Sequence, residues 1–360
     1  SGGDTSDYPE NALETVFYPT NKIRLPVNKE NVIKSGLVKE KDSDLILDYI
    51  DIDLPESIIT KNQIMMLDIL ANNNWERPIY FTGGSYEESE YIWMKDYLQL
   101  DGLVYKLVPI KTSIENNPYE MGRIDSDLMY DIVKKWSWGN SESDEIYHDP
   151  ETRKNSISFR GNLSRLSEKL ISEGEYEKAE EILDLAFSKM PIDYYGYYSL
   201  WTPLVKSYYD IGKSEKVREI VQKLSFKYSD RLSYFSSLEI FNQYDVGEEI
   251  ISDIERFRNL IETIQESGER EILADQIKSF ISSSEQFNYI YGEYDYYISL
   301  SNFLVSLLEL NELEYSMSVI DKIEEQLIRK VSVFSNIDED EQVYYLDGIT
   351  SDINQYSRLI

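Results

Sequence analysis

The sequence predicts an α+β protein, in which a small α/β sheet domain precedes an all-α domain of repeated helices. Three observations carry this expectation. Short extended runs alternate with amphipathic segments up to about residue 112, apolar residues recur at helical spacing from about residue 155 onward, and turn glycines recur at similar intervals in that second half. Residues 1–15, opening Ser1-Gly-Gly-Asp4, read as a disordered or tag-derived start, a cloning remnant or the cut edge of a longer protein. The expected divisions are then 16–112 for the α/β domain, 113–154 for an irregular connection and 155–360 for the helical repeats.

Within the first domain, Lys22-Ile-Arg-Leu-Pro-Val27 reads as extended, and Tyr49-Ile-Asp-Ile-Asp-Leu54 alternates strictly, as a half-buried strand does. Thr60 to Asn73 reads as a helix, because Ile64, Leu67, Leu70 and Ala71 recur at three and four residues and the asparagines at 72–74 end it. Arg77-Pro-Ile-Tyr-Phe-Thr82 follows as a strand with Pro near its start, where a lost N–H is tolerated. A helix is expected from about Tyr86 to Leu98, and Leu103 to Val108 as a strand stopped by Pro109. The stretch from Ser113 to Arg153 is polar and rich in Asn and Asp, which sets the expected boundary.

The second half carries an internal repeat. Leu163, Leu166, Leu170, Gly174, Tyr176, Ala179, Leu183, Ala186 and Pro191 have the spacing of a tetratricopeptide-type helix pair, with small residues at the close crossing and Pro stopping the second helix. Leu204, Tyr208, Gly212, Val217, Val221 and Leu224 repeat it. The two turn glycines lie 38 residues apart, against an ideal of about 34. A degenerate copy runs through Phe303, Leu307, Asn311 and Leu313, and residues 247–288 supply a further helix pair. Stacked pairs of this kind bury a continuous core and present a concave face.

Composition narrows the function. The 360 residues include 67 Asp and Glu against 36 Lys and Arg, for a formal charge of −31, which excludes nucleic-acid binding driven by counterion release. A hydrophobic fraction of 41% with 30 Tyr and 12 Phe is enough for a real core. Cys is absent, so disulfides, thiolate metal sites and Cys nucleophiles are excluded; the single His148 makes triads and His-rich zinc sites improbable. No apolar run reaches the roughly 18 residues that span a bilayer, so direct membrane insertion is not expected.

Candidate chemistry is sparse. Gly83-Gly84-Ser85 opens a helix where phosphates are often held, but Ser85 and Glu88 form a capping box that uses the same N–H groups, and Glu87 with Glu88 would repel an anion. Asp42 with Asp44, Asp125 with Asp127 and Asp131, and Asn336 with Asp338 and Asp340 invite a calcium reading, yet none has the ligand spacing of an EF-hand loop. They read as solvated faces. His148 sits in a polar stretch before Pro150 with no nucleophile or metal motif around it, and reads as a loop residue. No cofactor is expected. The tyrosines form two clusters, Tyr194, Tyr195, Tyr197 and Tyr198, and then Tyr289, Tyr291, Tyr294, Tyr296 and Tyr297. Such amphipathic rings serve helix packing and also sugar or peptide binding, so Tyr194, Tyr195, Tyr197, Tyr198, Tyr291 and Tyr294 are the candidate binding residues.

A resemblance adds to this. At Asn73-Asn-Trp-Glu-Arg-Pro-Ile-Tyr-Phe81, Tyr97-Leu-Gln-Leu-Asp-Gly-Leu-Val-Tyr-Lys-Leu-Val-Pro109 and Gly122-Arg-Ile-Asp-Ser-Asp127, with Tyr18-Pro19, Leu25 to Glu30, Trp138-Gly-Asn140 and Phe159-Arg160, the chain resembles the C-terminal soluble part of multi-pass membrane proteins of Bacteroidetes. That family, a domain of unknown function, is similar to the eukaryotic transmembrane protein O-mannosyltransferase. The resemblance implies a site at the periplasmic face of the inner membrane. It implies a sugar-transferring membrane half that lies outside this chain, and no catalytic residue within it. The expected function is therefore a non-catalytic accessory domain that recognises an acceptor polypeptide or glycan, or braces its transmembrane half, with tyrosines lining a groove between the two domains. The competing expectations are a self-contained carboxylate-dependent glycan hydrolase, which needs two carboxylates about 5 to 10 Å apart with one shielded by aromatics, and a pure scaffold, whose aromatics would all be buried.

Overall fold

The computed structural model describes residues 20–54, 59–82, 92–112, 121–196 and 198–359. The chain divides into two units, Ser1–Ser137 and Trp138–Ile360.

The first unit is built on short antiparallel strands. β1 (Lys22–Pro26) pairs with β2 (Tyr49–Asp53), Ile23 opposite Ile52 and Leu25 opposite Ile50. The alternation in β2 does what period two requires: Ile50 and Ile52 are buried while Tyr49, Asp51 and Asp53 face outward. On that outer face Arg24 clasps Asp51 with two hydrogen bonds, at 2.7 and 2.9 Å, and lies 3.7 Å over the Tyr49 ring. The Arg24 hydrogen bonds hold the Asp51 carboxyl below its usual range.

A second sheet has the order β3 (Tyr80–Thr82), β5 (Val104–Leu107), β4 (Leu98–Asp101), again wholly antiparallel. The α+β class is borne out, with the strands divided between two separate antiparallel sheets in which β4 and β5 form a hairpin and β3 pairs across to β5. The expected helix from Tyr86 to Leu98 is corrected. Residues 92–97 form a 3₁₀ helix and Leu98 opens β4, whose Leu-Gln-Leu-Asp sequence alternates although all four residues are buried, the polar two satisfied through Asp101 with Lys106 and Gln99. Residues 83–91, with the capping box at Ser85, lie outside the described residues.

Helix α1 (Lys29–Lys34) is capped by Asn28, which accepts from the Asn31 N–H at 3.1 Å. α2 (Lys61–Asn73) matches its expected span within one residue and starts at Thr60 in a capping box with Gln63. It ends on Asn74 and Trp75, both with positive φ (48° and 61°). The Trp75 indole donates to the Pro26 carbonyl at 2.8 Å, Asn31 donates to the Asn74 carbonyl at 3.0 Å and Ser35 to that of Trp75 at 3.1 Å. The Asn73 to Phe81 motif is thus a clamp that ties α2 to β1 and α1. Trp75 packs against the core of Val32, Leu37, Val38, Ile46, Val108 and Ile110.

The expected connection, 113–154, splits between the units. Arg123 bridges to Gln99, exchanging backbone hydrogen bonds with Leu98 and Leu100, and α3 (Ser126–Val133) follows, capped by Asp125. Residues 121–137 therefore complete the first unit, and the division falls after Ser137. Residues 113–120 and the chain start, 1–19, lie outside the described residues.

The second unit is helical. Its pairs are α4 (Pro150–Ser172) with α5 (Tyr176–Lys189), α6 (Thr202–Asp210) with α7 (Ser214–Ser236), α8 (Ile240–Asp245) leading into α9 (Gly247–Glu266) with α10 (Leu273–Ser284), and α13 (Ser301–Glu309) with α14 (Leu313–Ser335). Two short helices, α11 (Asn288–Tyr291) and α12 (Glu293–Ser299), lie between, and α15 (Glu339–Leu359) closes the chain. The tight turns repeat one motif. At Gly174, Gly212 and Asn311, with φ of 78°, 73° and 64°, the next residue's N–H returns to the carbonyl of Leu170, Tyr208 and Leu307 respectively. That is the left-handed C-terminal cap at which glycine and asparagine are favoured. Rings run through successive pairs: Tyr228, Phe257, Phe280 and Phe303 contact in turn at 5.7, 5.5 and 5.6 Å. No helix among the described residues is long and apolar enough to cross a membrane.

Candidate binding groove

An open groove of about 380 Å³ runs between α6 and α9, the first helices of two successive pairs. α6 supplies Thr202, Pro203 and Lys206, and α9 supplies Arg256, Asn259, Glu262, Thr263 and Glu266. Local rules explain both walls. Pro203 sits in the first turn of α6, where its missing N–H has no intrahelical partner to lose. On α9 the apolar residues Ile250, Ile254, Phe257, Leu260, Ile261 and Ile264 take one face, and 256, 259, 263 and 266 fall on the other at helical spacing.

The electrostatics of this groove differ from those of the chain as a whole. Two cations, Lys206 and Arg256, stand with two carboxylates, Glu262 and Glu266, so the lining is charge-balanced in a protein of charge −31. Arg256 is aimed by Asp253, which is fully buried and binds it at 2.9 Å while also holding Arg231 at 2.5 Å. Lys206 is steadied by Asp210 at 3.0 Å, one turn along α6. Thr263 donates to the Asn259 carbonyl at 2.9 Å. The Asn259 amide is exposed and makes no side-chain hydrogen bond among the described residues; it offers one acceptor and two donors. None of the eight lining residues is aromatic.

None of the tyrosines read as binding candidates is among these eight residues. Tyr195 is buried and donates to the Ser141 carbonyl at 3.1 Å. Tyr194 is half-buried and stacks on His148, whose ring lies 5.8 Å from it and 5.2 Å from Tyr195. The fold thus brings His148 together with Tyr194 and Tyr195, which were read apart from it. Tyr197 lies outside the described residues, and Tyr198 opens a 3₁₀ turn to Trp201. Tyr294 is buried under the Lys330 ammonium and donates to the Asp352 carbonyl at 3.0 Å, while half-buried Tyr291 donates to Glu255 at 2.9 Å. Burial pushes the hydroxyls of Tyr291, Tyr294, Tyr296 and Tyr297 well above their ordinary value. Tyr195 and Tyr294 act as packing and hydrogen-bonding residues, because helix stacking covers rings whose spacing in sequence leaves their direction open.

In the first unit three carboxylates of the acidic motifs are matched to cations, and the reading of these motifs as solvated faces is corrected at Asp125, which is buried as the cap of α3. Asp125 takes Lys39 at 3.1 Å, Asp127 takes Lys41 at 2.9 Å, and Asp42 takes Arg123 at 2.6 Å. Lys106 and Asp101 form a pair at 2.9 Å with both side chains almost wholly buried, and Gln99 donates to the same carboxylate at 2.8 Å. The cavity beneath Trp75 has about 10 Å³, room for one water.

Comparison with known proteins agrees with this division. Residues 4–128 match the family model described as TMEM260-associated domain 2, so this part of the chain is similar to that domain, and the match ends inside α3. No curated protein and no solved structure matches the chain.

Proposed function

We propose that this chain is a non-catalytic accessory region of a protein O-mannosyltransferase-like membrane protein. On this reading the first unit stands beside a transmembrane half that is its partner, on the periplasmic side of the inner membrane. The helical unit works as a tetratricopeptide-like array that holds an extended acceptor polypeptide. The similarity of residues 4–128 to TMEM260-associated domain 2 supports the first part.

The observation that carries the second part is the balanced groove between α6 and α9. An extended peptide presents backbone N–H and C=O groups and little net charge. A polyanion would be repelled by the chain's acidic surface, whereas a peptide backbone finds amide, hydroxyl, cation and carboxylate partners in one channel. Calorimetry of the purified chain with an unstructured, uncharged Ser- and Gly-rich polypeptide tests it. Saturable binding that falls about tenfold in Asn259→Ala combined with Lys206→Ala is the expected result. Equal binding by both proteins, or none by either in a folded sample, would overturn the groove reading.

A further inference from the structure

A second surface of the helical unit is built for a partner, and we propose that the α7–α8 corner docks a cationic polypeptide segment. Four apolar side chains stand exposed there: Tyr234 at the end of α7, and Ile240, Phe241 and Tyr244 on α8, with Phe241 at 75% exposure. Residues 240, 241 and 244 share one helix face. Single exposed rings are ordinary on a protein surface, but a cluster of this kind marks an interaction site.

The cluster is held rigid from behind. Gln243, on the opposite side of α8, is buried and donates to the Leu238 carbonyl at 2.6 Å. Its oxygen accepts from the Tyr289 hydroxyl, and the Tyr289 ring meets Tyr244 edge to face at 5.5 Å. The Tyr244 ring, fixed in this way, loses little entropy when a partner arrives.

Charge decides the occupant. From Leu232 to Glu255 the chain has no Lys or Arg and six acids. Asp253 is taken by Arg231 and Arg256, and Glu255 by Arg258 and Tyr291. Glu239, Asp245, Glu248 and Glu249 remain exposed on α8 and the start of α9. A second copy of this chain, at −31, is repelled, and so is an anionic lipid surface. A segment bearing Lys or Arg gains both the carboxylates and the ring faces.

The corner is distinct from the groove, so the two are separated by variants. The probe is a fluorescent peptide of alternating Lys and Ser, with its Glu and Ser counterpart as control, titrated against the whole chain. The Lys peptide is expected to bind and to weaken as salt rises. Affinity is expected to fall about tenfold in Phe241→Ser with Tyr244→Ser, and about threefold in Glu248→Gln with Glu249→Gln. Asn259→Ala with Lys206→Ala should leave it unchanged. Equal affinity of the corner variants and the parent, with circular dichroism showing both folded, would overturn the proposal, as would equal binding of the Glu peptide. Sedimentation of the parent, but not the corner variant, with phosphatidylcholine vesicles would replace the peptide by a membrane.

Discussion

The sheet unit and the helical unit bury their interiors by different means. In the sheet unit the strands run only three to five residues, and polar pairs lie inside or beside them: Lys106 with Asp101 and Gln99, Arg123 with Asp42, Lys39 with Asp125. In the helical unit one turn motif recurs and rings from α7, α9, α10 and α13 pack in sequence. Short strands bury too little area for packing alone to choose a register, whereas a one-residue slip in β4–β5 would leave Asp101 and Lys106 without each other. The repeated helix pairs also hold a buried carboxylate, Asp253 between Arg231 of α7 and Arg256 of α9, but there the stacking of each pair on its neighbour already sets the alignment.

The largest expected effects divide along this line. Lys106→Ala strands a buried carboxylate and should cost the sheet unit about 3–5 kcal/mol, while Asp101→Leu with Lys106→Met should restore most of that loss. Phe280→Ala should cost the helical unit about 3–5 kcal/mol with no polar change that rescues it. Urea unfolding followed by hydrogen exchange separates the units. Rescue failing for the double replacement, or loss spreading equally to both units, would break the contrast.

Alkali should act mainly on the helical unit. Burial raises Tyr209 to about 12, and Tyr208, Tyr291, Tyr294, Tyr296 and Tyr297 are pushed up with it. A raised tyrosine keeps its proton in the folded chain after the unfolded chain has lost it. Its stabilisation is therefore complete below pH of about 10 and declines as pH rises above that, by at most about 1.4 kcal/mol per pH unit per residue. Phenolate absorbance should lag behind free tyrosine up to about pH 11 and then rise together with loss of helix. Absorbance following free tyrosine throughout would sink this prediction.

The smallest effects compare two glycines of equal φ. Gly102, at +72°, opens the two-residue loop between β4 and β5, and a Cβ there would meet Ile132 at 3.1 Å and Trp136 at 3.2 Å. Gly212, at +73°, has open space. Gly212→Ala should cost about 1 kcal/mol from the left-handed backbone alone, and Gly102→Ala more. Equal losses in thermal unfolding would show that space does not matter at the hairpin.

Much of this was legible along the chain. The strict alternation of Tyr49 to Asp53, the span of α2 and the spacing of Gly174, Gly212 and Asn311 each record a local rule that the fold follows, although in the α2 stripe Ile64 and Ala71 are exposed and Gln63 is buried with Leu70. Leu98 was read as the end of a helix, and the Leu-Gln-Leu-Asp alternation of β4 sits at the lower limit of length at which alternation marks a strand. The residues of the candidate groove were the least legible. Tyrosine clusters mark where rings are plentiful, yet Tyr195 and Tyr294 turn inward. Asn259, Lys206 and Arg256 carry no motif, and α9 alone only separates an apolar face from a polar one.

What the sequence determined by itself is what depends on neighbours a few residues apart: the alternation of β2, the span of α2, the turn positions of the repeats, the absence of thiol chemistry and the acidic field. Only tertiary structure decided which strands pair, where the chain divides and which polar stripe faces a groove. Those depend on residues far apart in sequence, such as Arg123 against Gln99 or Lys206 across from Arg256, and their pairing is selected by burial and charge balance over the whole unit.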